Sequence, residues 1–263
     1  MNLSHHFNDR SEIESDFDAV DLGLDQYHTF ISGRISLNEK QNFKHSFGFQ
    51  TSFIKTQNKN NSQEILIPDA NIFDIGTYYL VSKQLNSVFL QAGLRFDYRK
   101  VTAFADKPLL VASNFILPGN PENRQLSSDF SGLTGSLGAT FNLSEFQNIK
   151  LNLSSGFRAP DLAELFSNGE HPGTSRFEVG NANFEREQSF QTDVSYAIET
   201  KGFKLGASVY YNTISNYIFF TNTGETRPED GLQIWEFQQE NAQLYGTEMS
   251  VNYKLSDAVS LQS

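Results

Sequence analysis

The sequence predicts an all-β protein, an antiparallel transmembrane β-barrel segment of about ten strands, and three features point that way. Apolar and polar residues alternate with period two in segment after segment. Short polar turns and long polar loops alternate between those segments. The apolar positions are rich in Phe and Tyr, while the opposite positions carry Gly, Ser, Thr, Asn, Gln and scattered charge.

Along the chain, Val88, Leu90, Ala92, Leu94, Phe96 and Tyr98 share one face, opposed by Gln91, Gly93, Arg95, Asp97 and Arg99. Leu133, Leu137, Ala139, Phe141 and Leu143 oppose Thr134, Ser136, Thr140 and Asn142. Phe190, Thr192, Val194, Tyr196 and Ile198 oppose Ser189, Gln191, Asp193 and Ser195. From Phe203, the residues Leu205, Ala207, Val209, Tyr211 and Tyr217 oppose Lys204, Gly206, Ser208, Asn212 and Asn216. Tyr245, Thr247, Met249, Val251, Tyr253 and Leu255 oppose Gly246, Glu248, Ser250, Asn252 and Lys254. Short turns are expected near 38–41, 83–86, 144–148, 199–202 and 256–257, and long loops near 56–71, 104–127, 158–186 and 221–231. Outer-membrane barrels have this layout, with short periplasmic turns and long extracellular loops. A polar inner set that includes Arg34, Arg95, Asp97, Arg99, Asp193 and Glu248 suits a wet lumen. A soluble sandwich or solenoid shares the alternation and stays as an alternative.

Composition narrows the classes further. Of 263 residues, 38% are hydrophobic and 13% aromatic: few for a compact soluble core, too aromatic for a disordered chain. The absence of Cys excludes a disulfide scaffold and thiol-bound metal. A net charge of -11 argues against nucleic acid as a partner. No run of about 20 apolar residues could form a spanning helix. Residues 1–21 are polar and acidic, so any export leader is expected upstream.

The stretch Gly156-Phe157-Arg158-Ala159-Pro160-Asp161-Leu162-Ala163-Glu164-Leu165-Phe166 ends a strand and enters a long loop. It continues through Asn168-Gly169-Glu170-His171-Pro172-Gly173-Thr174 and Phe177-Glu178-Val179-Gly180-Asn181-Ala182-Asn183-Phe184 to Glu187 and Ser189. This resembles the barrel signature of TonB-dependent outer-membrane receptors, and its spacing looks like the subgroup that takes up metals and metal chelates. The segments Ile67-Pro68-Asp69, Asp74-Ile75-Gly76-Thr77-Tyr78 and Ala92 through Asp97 also look like consecutive strands of that family, and Phe184 departs from its usual Leu. The resemblance covers residues 65–253.

The resemblance implies a barrel of roughly 22 strands filled by an N-terminal plug. Neither a plug-like domain nor a TonB box precedes Asp25, and no closing aromatic strand precedes Ser263. Residues 1–263 are therefore expected to be a partial receptor barrel domain, with 1–25 an extracellular acidic loop and strand end. The implied partners are outer-membrane lipid, the receptor's own plug, the TonB complex and a small nutrient ligand. No cofactor is expected.

The motif residues Phe157, Arg158, Ala159, Pro160, Glu164, Leu165, Gly169, Phe177, Glu178, Gly180, Asn181 and Glu187 have structural work of their own. Pro160 lacks an N–H and stops strand pairing, and Ala159 before it is held extended. Gly180-Asn181 suits a turn needing positive φ. Ligand candidates are His5, His6, His171, Glu12, Glu14, Asp16 and Asp18. In an extended segment the last four would present carboxylates on one face, where a divalent cation could collect. A solvated hairpin explains the same charges, and the metal stays unassigned. No G-x-S-x-G, P-loop or H-E-x-x-H stands in the chain, so no catalytic residue is expected. The expected function is receptor-mediated import of a metal or metal chelate. A barrel enzyme, a passive porin and a soluble adhesin are the alternatives.

Overall fold

The computed structural model describes residues 1–13, 19–39, 43–104, 110–111, 115–116, 125–174, 176–256 and 259–262. In chain order the strands are β1 (Asn2–Glu12), β2 (Val20–Glu39), β3 (Phe43–Asn58), β4 (Ser62–Glu64), β5 (Asp69–Leu85), β6 (Val88–Phe104), β7 (Leu110–Val111) and β8 (Phe115–Ile116). They continue as β9 (Gln125–Ser144), β10 (Gln147–Arg158), the helix α1 (Leu162–Phe166), β11 (Asn168–His171), β12 (Arg176–Val179), β13 (Glu187–Glu199), β14 (Phe203–Thr226), β15 (Gln233–Lys254) and β16 (Ser260–Gln262).

Ten of these are long, from the 11 residues of β1 to the 24 of β14. They form one antiparallel meander in the order β1-β2-β3-β5-β6-β9-β10-β13-β14-β15, each strand beside its neighbour in sequence. The expected ten strands and alternating connections are both present. Between β5 and β6 the chain turns on Asn86 and Ser87, with Asn86 at φ 46 as a two-residue hairpin demands. Residues 2–12, read as loop and strand end, instead pair along their whole length with β2.

One face of the sheet is an exposed apolar belt. Leu94, Phe96, Leu133, Leu137, Phe190, Val194, Tyr245 and Met249 are all exposed, Leu137 by 60% and Met249 by 71%. A sandwich would pack this face against a second sheet, and no second layer covers it among the described residues.

The polarity of the faces inverts near the long-loop end, which alternation alone does not reveal. On β6 the outer face runs Leu90, Ala92, Leu94, Phe96, Tyr98 and then turns polar at Lys100 and Thr102. The inner face does the opposite: after Arg95, Asp97 and Arg99 come Val101 and Ala103, both 0% exposed. Their neighbours follow suit, with Ile72 and Ala70 on β5 and Phe130 on β9 buried inside. The expected polar inner face therefore runs from Gln91 to Arg99 and gives way to buried apolar residues beyond. From Val88 to Tyr98 the belt spans about 34 Å of strand, or roughly 25 Å once tilted by about 40°. That equals the height of an outer-membrane apolar band.

A bulge between Ile214 and Tyr217 places an extra β14 residue against β15, with Asn216 at φ 59. Beyond it Tyr217 stays exposed on the face of Tyr211, as the alternation predicts, while Ile218 joins the buried inner core.

Candidate functional site

The loop between β10 and β13 folds inward. Phe157-Arg158-Ala159-Pro160 leads off β10, Pro160 is fully buried, and Asp161 caps α1. The Asp161 carboxylate accepts from the Glu164 N–H at 3.0 Å, and Glu164 accepts from the Asp161 N–H at 2.8 Å. This reciprocal capping box starts a helix of a single turn. The helix then drives Leu162, Leu165 and Phe166 into a core with Ala70, Ile72, Val101, Ala103, Phe130, Phe184 and Ile218. Each large side chain in that core contributes on the order of 2 kcal/mol by leaving water.

Arg158 ties this helix to the wall. Its guanidinium donates to both oxygens of Glu187 at 2.7 and 2.5 Å and to Glu164 at 2.8 Å. Glu187 also accepts from the Ile218 N–H at 2.7 Å. One cation thereby joins α1, β13 and β14, beyond the apolar belt. Burial works to raise the Glu187 pKa, but the hydrogen bonds from Arg158 and Ile218 prevail and hold it below the usual carboxylate value. Arg158 is held above its usual value, chiefly by the hydrogen bond to Glu187.

Two glycines let backbones meet. A Cβ on Gly180 would lie 2.7 Å from the Phe166 nitrogen, and one on Gly169 would lie 2.3 Å from the Ile65 carbonyl oxygen. Neither Gly180 nor Asn181 has a positive φ. The expectation of a positive-φ turn is thus corrected: close backbone approach requires Gly180, and the Asn181 side chain accepts from the Asn183 N–H at 3.0 Å.

The long loops also join across the mouth. β4 pairs with β2, the Asn168 N–H donates to the Leu66 carbonyl at 2.9 Å, β11 pairs with β12, and β12 runs parallel to β15. A continuous hydrogen-bonded strip therefore connects the second strand of the sheet to its tenth. On it, His171 Nδ1 lies 2.8 Å from Glu178 Oε1, and Arg176 donates to that same oxygen at 2.8 Å. The Arg176 guanidinium stands over the rings of Phe220 at 4.9 Å and Trp235 at 5.6 Å, and Arg227 over Phe177 at 4.2 Å. Below the strip the inner wall carries paired charges. Arg95 is bound to Asp97 at 2.7 Å and to Gln50 at 2.8 Å. Asp74 accepts from Arg99 at 2.5 Å and from Ser52 at 2.9 Å. With Arg158 these groups line a cavity of about 400 Å³. Stacking, charge and hydrogen-bond donors are the chemistry of recognition, and sequence reading missed Arg176 and Phe220 because their contacts are non-local.

A family model described as TonB dependent receptor-like, beta-barrel, matches residues 3–262. The chain belongs to this TonB-dependent receptor family. Among solved structures, the hemophore receptor HasR of Serratia marcescens, in complex with its hemophore HasA and heme, aligns with a TM-score of 0.63 at 16% identity. That alignment covers 89% of this chain and 41% of the receptor. The copper transporter OprC aligns with a TM-score of 0.68 at 16% identity, over 97% of this chain and 40% of that one. The FrpB iron transporter of Neisseria meningitidis gives 0.60 at 13%, over 89% and 34%. The chain thus spans about two fifths of the length of the first of these structures. Likeness at such identity establishes a shared fold.

Within the TonB-dependent receptor wall the ligand candidates separate. His5 and His6 fall on opposite faces of β1: His5 contacts Thr29 at 2.9 Å, and His6 meets the His28 ring at 6.4 Å. Glu12 and His171, far apart in sequence, come to 4.0 Å. Glu14, Asp16 and Asp18 lie outside the described residues. Among the described residues no three His, Cys, Asp or Glu side chains converge as a metal site. The motif residues are mainly buried in the loop core, with Ala159 at 6% exposure and Glu178 at 4%.

Proposed function

We propose that this chain is a wall segment of an outer-membrane receptor that imports a metal or metal chelate with energy from a TonB system. The observation that carries the proposal is the polarity inversion of the strands. An apolar belt of membrane height surrounds a polar inner face, and the belt ends where the loops fold into the mouth. The long loops would then face the cell exterior and the short turns the periplasm. The remainder of a barrel of roughly 22 strands, with its plug and TonB box, would complete the receptor. Heme, copper and iron in the names of the structural neighbours support a metal-linked cargo. Import needs no covalent step: the loops recognise the cargo, the plug yields to force, and the cargo passes.

Deletion of the full-length gene should slow growth on limiting metal source, tested with ferric chelate, heme, zinc and copper in turn. The protein should also fractionate with the outer membrane and show heat-modifiable migration. Growth and uptake unchanged under every such limitation would refute the transport reading. Uptake that persists without TonB would indicate a passive pore instead.

A further inference from the structure

The belt is not uniformly filled. One row of outward side chains across the sheet runs Phe43, Lys83, Leu90, Ala139, Leu151. The next runs Val81, Ala92, Leu137, Leu153. Ala92 and Ala139 stand on adjacent strands in adjacent rows, each between larger apolar neighbours, and leave a groove of about 410 Å³ on the face that meets lipid. Its lining is apolar except at one end. There the half-buried Lys83 holds its ammonium 5.4 Å from the Phe43 ring centroid, close to the two-residue turn between β5 and β6. Among the described residues no carboxylate pairs with it.

A cation at the lip of an apolar slot, level with the membrane–water boundary on the short-turn side, matches the two parts of one ligand. We propose that the groove holds an acyl chain of an anionic phospholipid whose phosphate rests on Lys83. The groove supplies the apolar contact, since each methylene removed from water favours binding. Lys83 supplies headgroup choice, because a lysine near the surface attracts anionic lipid. An ammonium half withdrawn from water gains more from a phosphate than a fully solvated one does. The site rests on the outer-membrane reading of the chain.

The test uses the full-length receptor extracted in mild detergent, stripped of lipid, then offered phosphatidylglycerol or phosphatidylethanolamine and weighed by native mass spectrometry. One phosphatidylglycerol should be retained per receptor, with about fivefold preference over phosphatidylethanolamine. Lys83→Gln should erase the preference and Lys83→Arg should keep it. Ala92→Leu with Ala139→Leu fills the groove and should lower retention of either lipid by about tenfold or more. Heat-modifiable migration of each variant checks that the barrel has formed; Ala92→Val alone, a smaller filling, serves if the double variant does not fold. Equal retention in wild type and filled variants, no preference between headgroups, or a dimer that the filling disrupts would each overturn the site. A receptor that does not enter detergent or bilayer at all would overturn the membrane reading instead.

Discussion

Removing the Glu187 carboxylate should loosen the mouth without unfolding the wall. Glu187 accepts three hydrogen bonds, two from Arg158 and one from the Ile218 N–H, and Ile218 is only 6% exposed. In Glu187→Ala the Ile218 N–H is left buried without its acceptor, which costs about 1–3 kcal/mol. The Arg158 side chain is 41% exposed and keeps Glu164, so its share is discounted to about 1 kcal/mol. The sum, about 2–4 kcal/mol, acts on opening of residues 159–186. Amide hydrogen exchange of the full-length receptor in detergent measures it directly. Protection at Leu165, Ser167 and Ile218 should fall by roughly thirtyfold to several hundredfold, since about 1.4 kcal/mol is a factor of ten, while β5 and β6 within the belt keep theirs. Glu187→Gln retains an acceptor and should lose about tenfold or less. Unchanged protection in Glu187→Ala would show that the apolar core holds the loop unaided, and would refute the anchoring role of Arg158.

Other outcomes follow from the same geometry. Gly180→Ala forces a methyl against the backbone of Leu165 and Phe166 and should cost about 2 kcal/mol or more, seen as faster proteolysis of the loop; Gly202→Ala, where nothing lies within 4 Å, should not. Leu94→Arg on the belt should cost about 2–4 kcal/mol near the membrane midplane in bilayer refolding, whereas Gln91→Ala on the inner face should cost less than about 1; equal tolerance would reverse the assigned faces. Because the Glu187 pKa is lowered in the folded protein, its stabilisation is fully present above its ordinary value of 4.5 and fades as pH falls through the lower folded value. Loop protection should therefore decline in acid, and the decline should be absent in Glu187→Gln.

Much of the wall was legible because a strand pleat writes itself into sequence with period two. Leu133, Leu137 and Phe141 had to share a face, and the spacing of turns had to make hairpins. Period two names two faces but not their solvents, so the switch at Val101 and Ala103 was hidden: apolar residues simply appeared on the other parity. Asn216 concealed its bulge because one inserted residue looks like continued strand. The site was less legible still. Gly180 could be read only as a turn glycine, since nothing local reports that the backbone of Phe166 passes beside it. The approach of Glu12 to His171 depends on pairings between loops separated by most of the chain. Arg158, Glu164 and Glu187 were visible as a motif, but their union around one guanidinium requires the strand register.

The strip formed by β4, β11 and β12 behaves as a bowstring. A twisted sheet sets its own curvature through the twist of each strand, which leaves the radius of its rim soft. A string of backbone hydrogen bonds between β2 and β15 fixes the chord of that arc. Cutting it at Asn168 or Gly169 would let the rim splay. Any ligand that tightens or slackens the string would change the width of the opening for the whole arc at once.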